Sequence, residues 1–370
     1  VGDRAHIHQL LDQILDSQRL SNHGPMVHEF ERRLCEITGA RHAIATCNAT
    51  LALQLTLLAT ARQREVIVPS FTFAATVHAI SMAGLQPVFA DIDPATHALS
   101  PVDVQQKITP ATGAILATHL WGQCADVEML EEISHHHQLP LIFDAAHALG
   151  SFADGRMVGR FGTAEVFSMH ATKIVNCFEG GVVTTDDDDL AERLKRLRNF
   201  GFVGVDRVIS VGTNAKMHEM SAAMGLDSLD HLPEYIAANR RNYLAYEKSL
   251  REVPGVELLS FQLHPQCNHQ YVVVEIDGTK TGLRRDILLQ ILQAENIVAR
   301  RYFFPGCHRM PPYRTLPSSA PENLPWTERL TDRVLVLPTG PSVSEEQIEV
   351  ICSIIRLATT CAAQFEDAAA

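Results

Sequence analysis

Asp144 and Lys173 stand in two similar settings, DAAHALG and FSMHATKIVNCFEGG. The acid closes the apolar run LPLIF, and the run AEVF closes on Ser168, His170, Thr172 and the lysine. Each reads as a short buried strand ending in polar residues, and open α/β sheets place their ligands at such carboxyl ends. An amine and a carboxylate set out this way suit pyridoxal 5′-phosphate (PLP). Its aldehyde needs an amine to hold it as a Schiff base, and its pyridine nitrogen needs an anion so that the ring stays protonated and accepts electrons. Taken singly, Asp144 could cap a helix and Lys173 could be a solvated charge. The paired settings favour the chemical reading.

The elements that must position this pair alternate along the chain. RHAIATC leads into the helical NATLALQLTLLATA, and REVIVPS into FAATVHAISMAG. PVFADI, GAILATHLWG, LPLIFDAA, AEVFSMHA and GGVVTTD follow as further apolar runs with helix or turn between them. This alternation predicts an α/β fold with a mostly parallel sheet and helices on both faces. A long helix is expected from about Leu232 to Glu252, with others over Arg284–Glu295 and Glu345–Ala358. GVELLSF, QYVVVEID, NIVARRYF and VLVLPTG read as the strands of a smaller α+β unit. The expected division is an N-terminal arm and large domain over 1–253 and a small C-terminal domain over 254–370.

Composition narrows the function classes. A chain of 370 residues can bury a large core, and a net charge of −12 with no basic run disfavours nucleic acid. No apolar stretch is long enough to span a bilayer, and VGDRAHIHQLLDQILDSQRL reads as an amphipathic helix without a signal-peptide core. A cytoplasmic location is expected. The eight cysteines lack CxxC spacing and read as reduced, mostly packed thiols, Cys177 among them. His135, His136 and His137 point in different directions on a helix, so a solvated helix end is expected rather than a metal site. Asp186 to Asp189 reads as an acidic helix start.

Several residues could hold a planar, phosphorylated cofactor. CNATLAL turns a strand into a helix, where free amides and the Thr50 hydroxyl form a phosphate cradle, although an ordinary cap reads the same. Phe71 and Phe73 end another strand, and one of them could lie flat on a ring. Ser168 could donate to a phosphate oxygen. Asn214 precedes a helix of small residues that could pack across a subunit interface.

These motifs, together with GPMVHEFERRL, VPSFTFAATVHAISMAGLQPVFADID, EGGVVTTDD, RLRNFGF, GTNAKMHEMSAAMGL and VLVLPTGPSVSEEQIEVI, resemble the DegT/DnrJ/EryC1/StrS family over nearly the whole chain. The resemblance implies a fold type I PLP-dependent aminotransferase that aminates nucleotide-linked keto sugars, passing through pyridoxamine phosphate in a ping-pong cycle with L-glutamate as donor. It implies that Lys173 forms the Schiff base and later moves the proton, and that Asp144 pairs with the pyridine nitrogen. His147 would sit by the ring's phenolic oxygen and Phe73 on the ring face. Ala49, Thr50 and Ser168 would hold the phosphate. Asn214 would reach it from the other subunit of a homodimer. Where the family often has glycine, position 49 is alanine, which keeps the amide but not glycine's backbone freedom. Related dehydratases carry histidine at the lysine position, whereas lysine at 173 keeps imine exchange available.

Substrate recognition is expected in RRYFFPGCHRMPPYR, with Arg301, Tyr302, His308 and Arg309 as candidates. Arginines there could meet a diphosphate, and surface charges around a Pro-rich turn are the competing account. Two other functions stay open on sequence alone: an aminotransferase for a keto-cyclitol, and a non-catalytic sensor of PLP or sugar nucleotide.

Overall fold

The computed structural model describes residues 2–261 and 266–364. The chain opens with α1 (Arg4–Ser17) and α2 (Pro25–Thr38), then β1 (His42–Thr46), α3 (Ala49–Thr60), β2 (Glu65–Pro69), α4 (Ala74–Met82) and β3 (Gln86–Ala90). It continues through α5 (Pro101–Lys107), β4 (Thr112–Thr118), α6 (Val127–His137), β5 (Leu141–Asp144) and a small ribbon, β6 (Phe152–Ala153) with β7 (Arg156–Met157). Then come β8 (Ala164–Ser168), β9 (Gly181–Thr185), α7 (Asp188–Leu197) and a hairpin, β10 (Phe202–Val203) with β11 (Arg207–Val208). α8 (Glu219–Asp230) and the long α9 (Leu232–Leu250) lead to β12 (Val256–Leu258), β13 (Val272–Ile276), α10 (Gly278–Thr281), α11 (Arg285–Ala294), α12 (Pro325–Thr331), β14 (Val334–Leu337) and α13 (Glu345–Thr360).

Seven strands form the main sheet in the order β1-β9-β8-β5-β4-β2-β3. The pairs β2–β3, β2–β4, β4–β5 and β5–β8 are parallel, and β9 runs antiparallel to both neighbours. This is the mostly parallel α/β sheet the alternation predicts. Its strands are buried nearly throughout because helices cover both faces, with a separate apolar core on each. The central strands β5 and β8 point their carboxyl ends the same way, so Asp144 and Ser168, the last residue of each, emerge at one edge.

A second, antiparallel sheet, β12-β13-β14, carries its own core with α9, α11 and α13. An aromatic cluster that includes Phe71, Trp121, Tyr243 and Phe303 fills the space between the two sheets. NIVARRYF differs from expectation. It forms no strand, only a single bridge between Arg300 and Val336. Its continuation crosses back to the main sheet, where Cys307 donates its N–H to the Ser70 carbonyl at 3.0 Å and Tyr313 packs in the core with Val66 and Phe89. Apolar residues deep in this Pro-rich stretch override its loop-like composition.

The helix ends follow the sequence signals. Asp187 caps α7 with Asp188 and Asp189 in its first turn, and His135, His136 and His137 form the last turn of α6. All eight cysteines are free thiols. Cys177 is fully buried, which pushes its thiol well above the ordinary range and fits a packing role. Among the described residues no helix is long and apolar enough to cross a membrane.

Candidate active site

The carboxyl edge of the main sheet and the aromatic cluster enclose a cavity of about 310 Å³, within the range of small-molecule sites. Asp144 and Lys173 both line it. Asp144 is 8% exposed, and burial pushes its carboxyl up from the ordinary value. The Thr76 hydroxyl, 2.6 Å from Oδ2, the Ala146 N–H, 3.1 Å from Oδ1, and the charge of Lys173 oppose that rise. Thr76 comes from the first turn of α4, which ties that helix to the end of β5.

Lys173 sits in a tight turn after β8, closed by hydrogen bonds from its own N–H to the His170 carbonyl and from the Cys177 N–H to Met169, each 2.8 Å. Its Nζ is 3.3 Å from Tyr271 Oη. Burial lowers the amine from 10.5 to about 8, against the pull of Asp144. Ser168 lines the cavity on the same strand end.

Asn48, Ala49 and Thr50 form a third wall at the start of α3. Asn48 caps the helix by accepting the Leu51 N–H at 2.9 Å, so the first-turn amides of Ala49 and Thr50 are left without helical acceptors. Ala49 is the first helical residue and needs no left-handed backbone, so alanine is at home there. The glycine that matters is Gly181 on β9. A Cβ there would stand 2.5 Å from the Ala49 nitrogen, so only glycine lets the strand press against this helix end.

His147 lines the opposite wall. Its Nδ1 accepts the Trp121 N–H at 3.4 Å, and burial followed by the Lys173 charge holds it well below its ordinary pKa, so the ring is neutral. Phe73, just ahead of α4, is 57% exposed and lines the cavity with its ring free of core contacts. Tyr302 also lines it.

Four of the expected residues lie elsewhere. Arg301 turns away, bonded to Asp286 at 2.9 Å and stacked over Phe304, and its neighbour Arg300 takes the place at the cavity wall. His308 is 1% exposed, with Nδ1 2.6 Å from Ser70 Oγ and Nε2 2.7 Å from Glu328. Burial and the adjacent Arg309 lower its pKa to about 4, and it serves as a clasp between the main sheet and α12 rather than a cavity group. Arg309 is itself paired with Glu328. Asn214 is exposed and bridged to Asn199, outside the cavity of its own chain.

Sequence reasoning missed Thr76, Tyr271 and Arg300. Tyr271 is the second residue of QYVVVEID, where only the strand pattern was visible, and Thr76 sits inside a helix whose partner is distant in sequence. A further cluster, His23, His28 and Glu31, brings donor atoms within 4.8 Å of one another. Arg198 already fills that corner with fixed positive charge, 2.8 Å from His23 Nδ1 and 2.6 Å from Glu31 Oε1.

A sequence profile of the DegT/DnrJ/EryC1/StrS aminotransferase family matches residues 2–356. The dTDP-4-amino-4,6-dideoxy-D-glucose transaminase of Shigella dysenteriae is 33% identical over 348 residues, 94% of each chain. The GDP-perosamine synthase of Vibrio cholerae is 32% identical over 359 residues, 95% of each. The crystal structure of DesI determined in the presence of its TDP-sugar product superposes with a TM-score of 0.95 at 51% identity, covering 99% of this chain and 93% of that one. With a lysine and a buried acid meeting in the cavity of this fold, the chain belongs to the DegT/DnrJ/EryC1/StrS family of PLP-dependent aminotransferases.

Proposed function

We propose that this protein moves an amino group from an amino acid, L-glutamate in the first instance, to carbon 4 of a thymidine-diphosphate-linked 4-keto-6-deoxysugar. The observation that carries the reading is a depressed amine and a carboxylate with two hydrogen-bond donors facing one cavity. The nucleotide and carbon follow the activity of the Shigella relative and the TDP-sugar product of DesI.

PLP fits the donor set. A ring nitrogen has Asp144, an aldehyde has Lys173, and a phosphate has the α3 amides with Thr50 and Ser168. Thr118 Oγ1 is buried at the cavity wall without a partner among the described residues, a polar atom that a ligand would satisfy. When bound, PLP supplies an aldehyde that condenses with amines and a protonated ring that takes up the electron pair released at the neighbouring carbon.

The chain's own residues do the rest. Asp144, which accepts hydrogen bonds from Thr76 and Ala146, would hold the proton on the ring nitrogen. Lys173, with a pKa of about 8, can shed and regain a proton at Nζ near neutrality. Neutral His147 would lie by the phenolic oxygen and Phe73 over the ring. Arg300, whose guanidinium bonds the Tyr302 hydroxyl at 3.0 Å and has no carboxylate partner among the described residues, offers its charge to the substrate's diphosphate.

A homodimer is part of the reading. The β10–β11 hairpin exposes Val205 at 96% and Val211 at 92%, with Phe200, Val208 and Ile209 beside them. That apolar patch suits burial against a second copy and would carry Asn214 towards the partner's phosphate site. The same reading takes 1–253 as arm and cofactor domain and 254–370 as a smaller domain, supported by the separate core on β12-β13-β14. Free thiols throughout accord with a cytoplasmic setting.

The test is product analysis with glutamate and three ketones: a TDP-4-keto-6-deoxysugar, its GDP counterpart and a keto-inositol. Amination of the first at carbon 4 supports the reading. Preference for the inositol favours the cyclitol enzyme, and no turnover of any ketone favours the sensor.

A further inference from the structure

Tyr271 stands immediately before β13 and reaches into the cavity from the small sheet. Its hydroxyl meets two groups, Lys173 Nζ and His147 Nε2, each at 3.3 Å. Three rings fix the phenol from different sides: His147 at 4.6 Å, Trp121 at 5.7 Å and Tyr302 at 6.2 Å between centroids.

The protons in this triad can be assigned. His147 Nδ1 accepts the Trp121 N–H, so a neutral ring carries its proton on Nε2 and donates it to Tyr271 Oη. The phenolic hydrogen must then go elsewhere; besides the Gln270 side chain, which also bonds this hydroxyl, the neighbour is Nζ at 3.3 Å. A neutral amine has a lone pair to accept it and an ammonium has none. With an ammonium, two donors would converge on one oxygen and the phenolic hydrogen would lose Nζ as an acceptor, which costs free energy inside the cavity wall. Nζ also lies 5.8 Å from the Tyr271 ring centroid, at the outer limit of a cation–π contact, so the hydroxyl is the closer influence.

We propose that Tyr271 is a positioning residue for Lys173: with His147 holding its oxygen, its hydroxyl donates to the free amine and keeps it in the form that accepts a proton. This rests on Lys173 being the reactive amine. Asp144 faces the same Nζ and favours the ammonium; burial opposes it, and Tyr271 acts on the side of burial. Glu179, Arg300, His119 and His170 line the rest of the cavity and are common to every variant compared below.

The experiment is competitive acetylation with trace acetic anhydride from pH 6 to pH 10.5, reading the Lys173 peptide by mass spectrometry. It is run on the PLP-free protein and on the protein loaded with pyridoxamine phosphate, since the amine is free in both. Tyr271→Phe removes one oxygen, and circular dichroism confirms that the variants compared are folded. In Tyr271→Phe and in His147→Leu the neutral fraction of Lys173 at pH 7 is expected to fall about three- to tenfold. The acid-side limb of the pH profile for the glutamate half-reaction shifts upward with it in Tyr271→Phe. An unchanged titration, or one that moves downward, overturns the assignment. That failure is distinct from failure of the functional reading, which would appear as a wild-type protein that no amino donor converts.

Discussion

Thr76 Oγ1 donates to Asp144 Oδ2 at 2.6 Å, joining the first turn of α4 to the tip of the central strand β5. Burial raises the carboxyl's pKa, and the two donors and the nearby lysine oppose that rise. Thr76→Val should therefore let the carboxyl rise further and weaken its hold on a protonated ring nitrogen. A charge-assisted bond of this kind implies a PLP dissociation constant about tenfold higher, with Thr76→Ser near wild type. Titration of the apoprotein with PLP, followed by absorption, checks both.

Lys173 makes stability depend on pH in a defined direction. Its pKa is about 8 when folded and 10.5 as the ordinary value, so between those limits the unfolded chain binds more protons at this site. Stability of the PLP-free protein must then rise with pH across that window, and below about pH 8 the penalty is complete and flat. Urea unfolding of wild type against Lys173→Met isolates the effect. The difference should swing in favour of wild type by on the order of 2 kcal/mol between the two limits.

Adjacent arginines should behave differently. Arg300→Ala removes the guanidinium at the cavity wall and should raise KM for the nucleotide sugar at least tenfold, since hydrogen bonds to charged groups are worth about 1.5–3 kcal/mol. Arg301→Ala breaks an exposed pair with Asp286 and the stacking on Phe304, both outside the cavity, and should leave KM within about twofold. Steady-state kinetics with the sugar varied distinguishes them.

The hairpin patch predicts the oligomeric state. Val205→Asp with Val211→Asp places two charges on the most exposed apolar residues and should shift the protein towards monomer in sedimentation experiments. PLP affinity should fall with it, because Asn214 would no longer reach a partner's site. Asn214→Ala alone should weaken PLP while leaving the dimer intact.

What the sequence made legible follows from where each signal lies. Asp144, Lys173 and Ser168 close short apolar runs, and parallel strand ends converge, so their shared cavity could be anticipated from local pattern. The cavity wall formed by Asn48, Ala49 and Thr50 was legible for the same reason, as a strand turning into a capped helix. Thr76 and Tyr271 were hidden because their partners are 68 and 98 residues away, and nothing local marks such contacts. The stretch after Arg300 was expected to meet substrate, with surface charges around a Pro-rich turn as the competing account. Cys307, His308 and Tyr313 are nevertheless buried, and the carboxylate that satisfies His308 comes from a later helix. Arg301 was one residue off because a single bridge at Arg300, not a strand, sets which side chain faces inward.

The most direct test is the absorption spectrum of the PLP-loaded protein before and after L-glutamate alone. The account predicts that the visible band gives way to the near-ultraviolet band of pyridoxamine phosphate, and that Lys173→Ala does not catalyse the change. A wild-type spectrum that no amino donor alters, with PLP demonstrably bound, would contradict it.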